Sequence, residues 1–313
     1  MPQLAYRCYA KVNLTLEVLR KRDDGFHDLA SLVHTISLAD DLLVDSASTL
    51  VSEVDGLDLT PETNLVTRAA KLLFEAADVS PGARLRLVKR IPASAGLGGG
   101  SSDAASALVG LNVLLGAGLA PAALTRLAAT LGSDVPFFLD GGAARMTGRG
   151  EQLHALPPLR GQWLVLVVSS HAITDKTSRL YAALESTDFS SGGATERAAS
   201  QLTRRLPLGE EHFFNVFSRA ARSVFPDLSA VWAAAERACE RRFFLSGAGP
   251  ALFALAVDRA DARRQASRLA RTGLSARGVR TVGHARAAIR FRPSPPSGTL
   301  NRDPRARCLV VQW

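Results

Sequence analysis

Lys89-Arg90-Ile91-Pro92-Ala93-Ser94-Ala95-Gly96-Leu97-Gly98-Gly99-Gly100-Ser101-Ser102-Asp103 is the stretch that decides the fold. Upstream, residues 83–88 alternate small or apolar side chains with arginines, the period-two pattern of a half-buried strand. Downstream, residues 104–115 are rich in Ala and Leu and read as a buried helix. Glycine at the junction lets the backbone take positive φ and leaves no Cβ in the way of a ligand. Successive N–H groups and the positive end of the helix then converge, so strand, glycine turn and helix start form an anion-binding device. A Walker A loop is excluded, because Gly100 is followed by Ser101 and no lysine is present. A dinucleotide fingerprint is excluded too: counted from Gly96, its third glycine position holds Ser101. A flexible Gly/Ser linker has no need of a strand before it and an apolar helix after it, or of Pro92 and Asp103 as flanks.

The chain has 313 residues, 47% hydrophobic, and a mean hydropathy near zero, which suits one or two globular domains with a sizeable core. Cys8, Cys239 and Cys308 are far apart and form no CxxC pair. That argues against a disulfide framework or a zinc site and for a reducing compartment. A formal charge of +9 would suggest nucleic acid, but its location argues otherwise. Between Ala262 and Trp313, twelve arginines face one acid, Asp303, so the rest of the chain is slightly acidic. A solvated basic end follows, with an RNA-contacting tail left open. Residues 1–9 lack the apolar run of a signal peptide. The uncharged run 104–124 contains Ser106, Gly110, Asn112, Gly116, Gly118 and Pro121, without a basic flank. It reads as a helix, a glycine stop and a second helix opening at Pro121, not as a membrane span. The expected location is the cytoplasm.

Nearer the N-terminus, Cys8, Ala10, Val12, Leu14, Leu16 and Val18 alternate with Lys11, Asn13, Thr15 and Glu17. This predicts a strand with Lys11 and Asn13 on one face. On spacing alone, an outward lysine is as good a reading of Lys11 as a functional one. Asp23-Asp24-Gly25-Phe26-His27 marks a turn, in which His27 by itself is an ordinary turn residue. Residues 32–44 return as a strand, and Pro61-Glu62-Thr63-Asn64 opens a helix through Phe74. Residues 122–131 form a short helix stopped by Gly132. Ser133-Asp134-Val135-Pro136-Phe137-Phe138 then places an acid on a turn before an apolar pair. Gly141-Gly142 and Gly148-Arg149-Gly150 mark further turns, and Pro157-Pro158 suggests a domain boundary. Residues 163–168 read as a buried strand, 173–184 as the approach to a helix and the helix itself, and the Ser/Gly-rich 186–200 as a mobile loop. Helices are expected over 214–225 and 228–241. Phe243 to Pro250 is a second glycine-rich turn, followed by a strand over 251–257, a helix to about Gly273 and a strand near 279–282. Strands and helices alternate without repeats, so the class is α+β in two lobes.

Three separated stretches carry a family resemblance. Ala10-Lys11-Val12-Asn13-Leu14, the loop Pro92 to Ser102, and Ser246-Gly247-Ala248-Gly249-Pro250 are similar, in order and spacing, to the three motifs of the GHMP small-molecule kinases. Asp24-Gly25-Phe26-His27, the run Ala95 to Ala105 and the run Leu131 to Phe138 resemble the branch acting on a cytidine-diphosphate-linked methylerythritol. The match runs from about Tyr6 to about Arg286 and leaves the Arg/Pro-rich end unmatched. It implies transfer of the ATP γ-phosphoryl, with Mg²⁺, to the 2-hydroxyl of that substrate, a step in the non-mevalonate route to isoprenoid precursors. It implies an N-terminal ATP-binding α/β lobe over 1–156 and a C-terminal ferredoxin-like lobe over 157–290, with the active site between them. Residues 291–313 are left as a tail, expected to be disordered.

The resemblance also assigns roles. Asp134 is the catalytic carboxylate that orients or deprotonates the acceptor hydroxyl, and Lys11 is its cationic partner. Pro92, Ala93, Ser94, Ala95, Gly96, Leu97, Gly98, Gly99, Gly100, Ser101 and Ser102 cradle the triphosphate. Ser101 or Ser102 reaches Mg²⁺, with no dedicated protein cage for the metal. Asn64 belongs to the adenine pocket, and Asn13, Phe26, His27 and Thr174 to the substrate side. The family often has Tyr where Phe26 stands; stacking survives that change, a hydroxyl contact does not. Gly247 and Gly249 close the cleft. Asn215 matches a family asparagine, but Ser218 stands where an acid is common, which leaves that segment's role open. The partners implied are small molecules, with no membrane or nucleic acid, in a monomer or homodimer. Two rivals stand beside this one: a GHMP kinase for homoserine, mevalonate or a sugar, and a non-catalytic nucleotide- or RNA-binding protein on the same fold. Asp24-Gly25-Phe26-His27 with the Ser133 to Phe138 turn argues against the first. Retention of both Lys11 and Asp134 argues against the second.

Overall fold

Apolar alternation from residue 4 onward draws out a long strand, β1 (Gln3–Lys21), which turns at Asp24-Gly25 into an antiparallel partner of similar length, β2 (His27–Ser46). The computed structural model describes residues 3–57, 60, 62–159, 161–169, 173, 175–283 and 290–292, with residues 3 and 290–292 as backbone alone. After the hairpin come β3 (Val51–Asp55), α1 (Leu65–Ala77), β4 (Ala83–Val88), α2 (Gly99–Leu114), α3 (Pro121–Leu131), the four-residue α4 (Phe137–Asp140), β5 (Ala143–Thr147) and β6 (Gln152–Leu156). Helix α1 starts where it does because Asn64 caps it, its Oδ1 accepting from Val66 N at 2.9 Å. Helices α1 and α2 cover the sheet. Ala69, Ala70 and Leu73 pack with Ala104, Ala107, Leu108 and Leu111 against Leu42, Val44, Leu85 and Leu87.

The second half holds β7 (Trp163–Val167), α5 (Lys176–Ala182), α6 (Gly193–Thr203), β8 (Phe214–Asn215), α7 (Ser218–Val224) and α8 (Leu228–Cys239). Then follow β9 (Phe244–Leu245), β10 (Leu252–Ala256), α9 (Arg259–Arg271), β11 (Ala276–Arg280) and β12 (Arg290–Arg292). The first sheet has the order β12-β1-β2-β4-β3, with the β5–β6 hairpin on β2 and β8 on β1. The second sheet, β11-β7-β10-β9, is antiparallel throughout.

The β1–β2 hairpin serves both halves. Ala10, Val12 and Leu14 share a core with Leu164, Leu166, Phe253 and Val279 of the second sheet, and Leu16 and Val18 pack with Phe217, Phe225 and Trp232. The opposite, polar side of β1 is buried as well, under α6 and the glycine turns, and Lys11, Asn13, Thr15 and Glu17 all lie inside. The outward reading of Lys11 is excluded. Buried polar groups need partners, and these have them: Thr15 Oγ1 meets Thr195 Oγ1 at 2.8 Å, and Glu17 accepts from Ser190 Oγ at 2.9 Å and Thr195 N at 2.7 Å.

Glu17 also overturns an expectation. The Ser/Gly-rich 186–200, read as a mobile loop, contains the first two turns of α6, with Thr195, Ala198 and Ala199 buried. The Glu17 carboxylate takes the free N–H groups at that helix start. The acceptor is far away in sequence, so local composition does not reveal it. The helix expected from 214 begins instead at Ser218, because Phe214–Asn215 pair in parallel with Thr15–Leu16. At the other end, Arg290–Arg292 lie along Gln3–Ala5 as a strand, and residues 293–313, Cys308 among them, fall outside the described residues.

His34 ties β2 to the connection between β6 and β7. It is fully buried; Nδ1 donates to Thr35 O at 2.9 Å, and Nε2 accepts from Leu159 N at 2.9 Å. Burial lowers its pKa from 6.5 to about 4. The folded chain therefore refuses a proton that the unfolded chain takes between those values. Stability is complete above pH 6.5 and falls as the pH drops toward 4. Denaturant unfolding is expected to show a loss of about 2–3 kcal/mol from this group between about pH 7 and about pH 4.5. His34→Gln, which keeps an acceptor without the titration, should lack that component; an unchanged pH slope would refute it.

Candidate active site

The stretch between β4 and α2 is shaped by what lies against it. Gly96 has φ +82°, and a Cβ there would come within 2.3 Å of Ser246 O and 2.9 Å of Gly249 N. Gly98, the N-cap of α2, has φ +71°, and its Cβ would strike the Phe138 ring at 2.7 Å. The loop is pinned from both sides: Lys11 N donates to Leu97 O at 2.9 Å, Ala251 N to Ala95 O at 3.0 Å, and Ser246 Oγ to Gly96 O at 3.2 Å. A cavity of about 300 Å³ opens beside it. Pro92, Ala93, Ser94, Ala95, Gly96, Gly98, Gly99, Gly100 and Ser101 line this cavity, with Asn64, Leu65 and Lys89 among its other walls. Leu97 turns instead into the core between the sheets, and Ser102 is buried in the first turn of α2. Of the two serines, Ser101 is therefore the one that faces the cavity.

Lys11, Asn13 and Asp134 come together at the end of this loop. Lys11 Nζ lies 3.7 Å from Asp134 Oδ2 and donates to Asn13 Oδ1 at 2.5 Å. Asn13 in turn donates to Ser31 Oγ at 2.8 Å. The lysine side chain is 5% exposed and the aspartate 39%, so the open side of the pair is the carboxylate. Asp134 sits in the turn closed by Val135 N on Gly132 O, anchored by the buried Phe137 and Phe138. Thr174 lies outside the described residues.

Contacts between residues far apart in the chain brace this site. Lys89 Nζ donates to Asp103 Oδ2 at 2.6 Å and to Asp40 Oδ2 at 2.5 Å, and Asp40 Oδ1 takes Ile91 N at 2.8 Å. This triad fixes the start of the glycine loop to β2. Burial pushes the Asp103 carboxyl up to about 7, against the pull of Lys89 and helped by Asp40. Asp40 lies too far back in sequence for a local motif to include it. Asn215 donates to Leu245 O and Gly247 O, both at 2.9 Å, which braces the second glycine turn. The segment left open by Ser218 thus has a definite task.

At the far end of the hairpin, His27 stacks on Tyr181 with ring centroids 4.4 Å apart and planes 18° apart. Phe189 meets it edge-on at 6.1 Å. Burial, with Lys21 nearby, lowers the His27 pKa. Phe26 is 53% exposed and carries the Arg149 guanidinium 4.6 Å from its ring centroid. The partners of His27 are thus Tyr181 and Phe189, neither of which local patterning marked. Among the described residues, no helix is long and apolar enough to cross a membrane, and no group of three or more His, Cys, Asp or Glu side chains is placed to hold a metal ion.

Known proteins share this arrangement. The family described as "GHMP kinases N terminal domain" matches residues 64–142, and "GHMP kinases C terminal" matches residues 189–274. Fold and site together define a GHMP small-molecule kinase. A relative from Dehalococcoides mccartyi, a 4-diphosphocytidyl-2-C-methyl-D-erythritol kinase, is 42% identical over 88% of this chain and 96% of its own length. One of the same name from Moorella thermoacetica is 39% identical over 87% and 96%. The crystal structure of a 4-(cytidine 5'-diphospho)-2C-methyl-D-erythritol kinase superposes with a TM-score of 0.75 at 38% identity, covering 89% of this chain and 99% of that one. The homoserine kinase of Cytophaga hutchinsonii shares the fold at 16% identity, with a TM-score of 0.69 over 92% and 97% of the two chains. The chain belongs to the family of 4-diphosphocytidyl-2-C-methyl-D-erythritol kinases.

Proposed function

We propose that this chain transfers the γ-phosphoryl of ATP to the 2-hydroxyl of 4-diphosphocytidyl-2-C-methyl-D-erythritol, giving the 2-phosphate and ADP, in the non-mevalonate route to isoprenoid precursors. The observation that carries it is the Lys11–Asp134 pair, 3.7 Å apart, at the end of a glycine loop that opens a helix. Phosphoryl transfer has a loose transition state, so a protein acts mainly by positioning and by stabilising charge. Backbone N–H groups of the loop and the first turn of α2 would hold the phosphates. Asp134 orients or deprotonates the acceptor hydroxyl, and Lys11, 3.7 Å away, is its cationic partner beside the transferred phosphoryl. Asn13 holds the Lys11 ammonium in place. The cytosine is received at His27, beside Tyr181 and Phe189, and the adenine at the wall that carries Asn64.

Mg²⁺ enters with the nucleotide, which asks one or two oxygen ligands of the protein rather than a cage of carboxylates. Ser101, a residue of the cavity wall with a hydroxyl to offer, fits that demand. The ion supplies charge neutralisation at the phosphates. We place the division between the lobes in Pro157-Pro158, between β6 and β7, and the enzyme in the cytoplasm, where ATP is abundant.

A substrate panel tests the activity. ADP release with the cytidine substrate should exceed that with homoserine, mevalonate or galactose by about 100-fold or more in kcat/KM. Equal turnover of an acceptor lacking cytidine would overturn the assignment. Base stacking is worth about 1–3 kcal/mol, so His27→Ala should raise KM for the cytidine substrate about 10- to 100-fold and leave KM for ATP within about threefold. Steady-state kinetics in both substrates would show it, and equal rises would refute base recognition at His27.

A further inference from the structure

Lys176, the first residue of α5, is a cation at the reacting centre that no motif includes. Its Nζ donates to Ser94 O in the glycine loop and, at 2.5 Å, to Gly249 O in the second glycine turn. Ser94 lines the cavity beside the loop. The charged groups facing this ammonium are Lys11 from β1 and Asp134 from the turn after α3. Tyr181, further along α5, feels Asp134 as well. Two cations and one anion therefore act on one another across the end of the phosphate loop, where Lys176 holds Gly249 O and Lys11 lies beside Gly247.

This arrangement is costly for a purely structural group. A neutral amide could bridge two carbonyl oxygens without losing the solvation of a charge or facing a second ammonium. Burial and the proximity of Lys11 together lower the Lys176 pKa to about 8, against the pull of Asp134. Lys11 is already engaged by Asn13 and Asp134. Lys176 retains a third N–H beyond those given to the two carbonyls, since an ammonium carries three.

We propose that Lys176 binds the terminal phosphoryl group of the nucleotide and so selects a triphosphate over a diphosphate. This rests on the assignment of the glycine loop to ATP. The extra negative charge of ATP over ADP lies at that terminal group, and Lys176 is the cation not committed to the Lys11–Asp134 pair. Contact with the phosphoryl strengthens the charged form of the lysine. Selection is therefore full at neutral pH and declines as the pH rises beyond the lysine's titration.

Calorimetric titration of the full chain with ATP and with ADP, each with Mg²⁺, decides it. Lys176→Gln keeps donors for both carbonyls and removes the charge. It should weaken ATP about tenfold or more and leave ADP within about twofold. Lys176→Arg, which keeps the charge, should stay within about threefold of the parent for ATP. The parent's preference for ATP should fall between about pH 7 and about pH 9.5, and that of Lys176→Gln should not. Equal weakening of both nucleotides by Lys176→Gln would make the lysine a loop clamp and overturn the proposal, as would no change in either. A parent that binds ADP and ATP normally while failing these tests refutes Lys176 alone; a parent that binds neither refutes the kinase assignment with it.

Discussion

Asp134→Asn is expected to lower kcat about 10³-fold, a loss of about 4 kcal/mol of transition-state stabilisation, and to leave ATP affinity within about tenfold. Asparagine matches the side chain in shape, so the turn from Gly132 to Phe138 and its aromatic anchor survive. It cannot accept the proton of the acceptor hydroxyl, and it offers Lys11 no charge. Lys11→Ala should produce a drop of similar order by a different route. Asp134 then loses its cation, and charge at the transferred phosphoryl loses a neighbour. The fold should tolerate both changes, because the carboxylate is 39% exposed and stays solvated. Near-normal turnover in either variant would contradict these roles.

Gly96→Ala is expected to damage both the fold and the nucleotide site. At φ +82° a side chain is strained, at a cost of about 1 kcal/mol. The larger effect is the contact at 2.3 Å with Ser246 O, a backbone atom that no rotamer change can move away. The two glycine turns would be forced apart, and with them the amides proposed to hold the phosphates. Nucleotide affinity should fall about 100-fold or more, and stability by about 3 kcal/mol. Gly273→Ala is the control. It has the same φ of +82° and nothing within 4 Å. It should lose only about 1 kcal/mol in denaturant unfolding and keep its kinetics. Equal behaviour of the two variants would mean that the contact across the cleft does not matter.

The parts of this enzyme that act through short range were legible in the sequence. The glycine loop, its flanking strand and helix, and the placement of Lys11 and Asn13 on one face follow from backbone rules within a dozen residues. Asp134 and His27 stood out only because a family resemblance gave their turns a context. The illegible parts depend on partners far apart in the chain. Glu17 orders α6, Asp40 and Asp103 share Lys89, Tyr181 and Phe189 enclose His27, and Lys176 bridges Ser94 and Gly249. Each is an ordinary residue in its local pattern and acquires a task only from what packs against it. Burial of the polar side of β1 has the same origin. A period-two strand gives no sign that its second face will also be covered, and here the glycine turns and the start of α6 cover it.

Lys11 and Asp134 are expected to act on the transfer step itself at the end of a bound triphosphate. Single-turnover transfer from γ-labelled ATP, with the cytidine substrate saturating, isolates that step in the parent, Lys11→Ala and Asp134→Asn. The predicted result is a transfer rate about 10³-fold slower in both variants with nucleotide binding retained. Transfer at the parent's rate in either one would contradict the account.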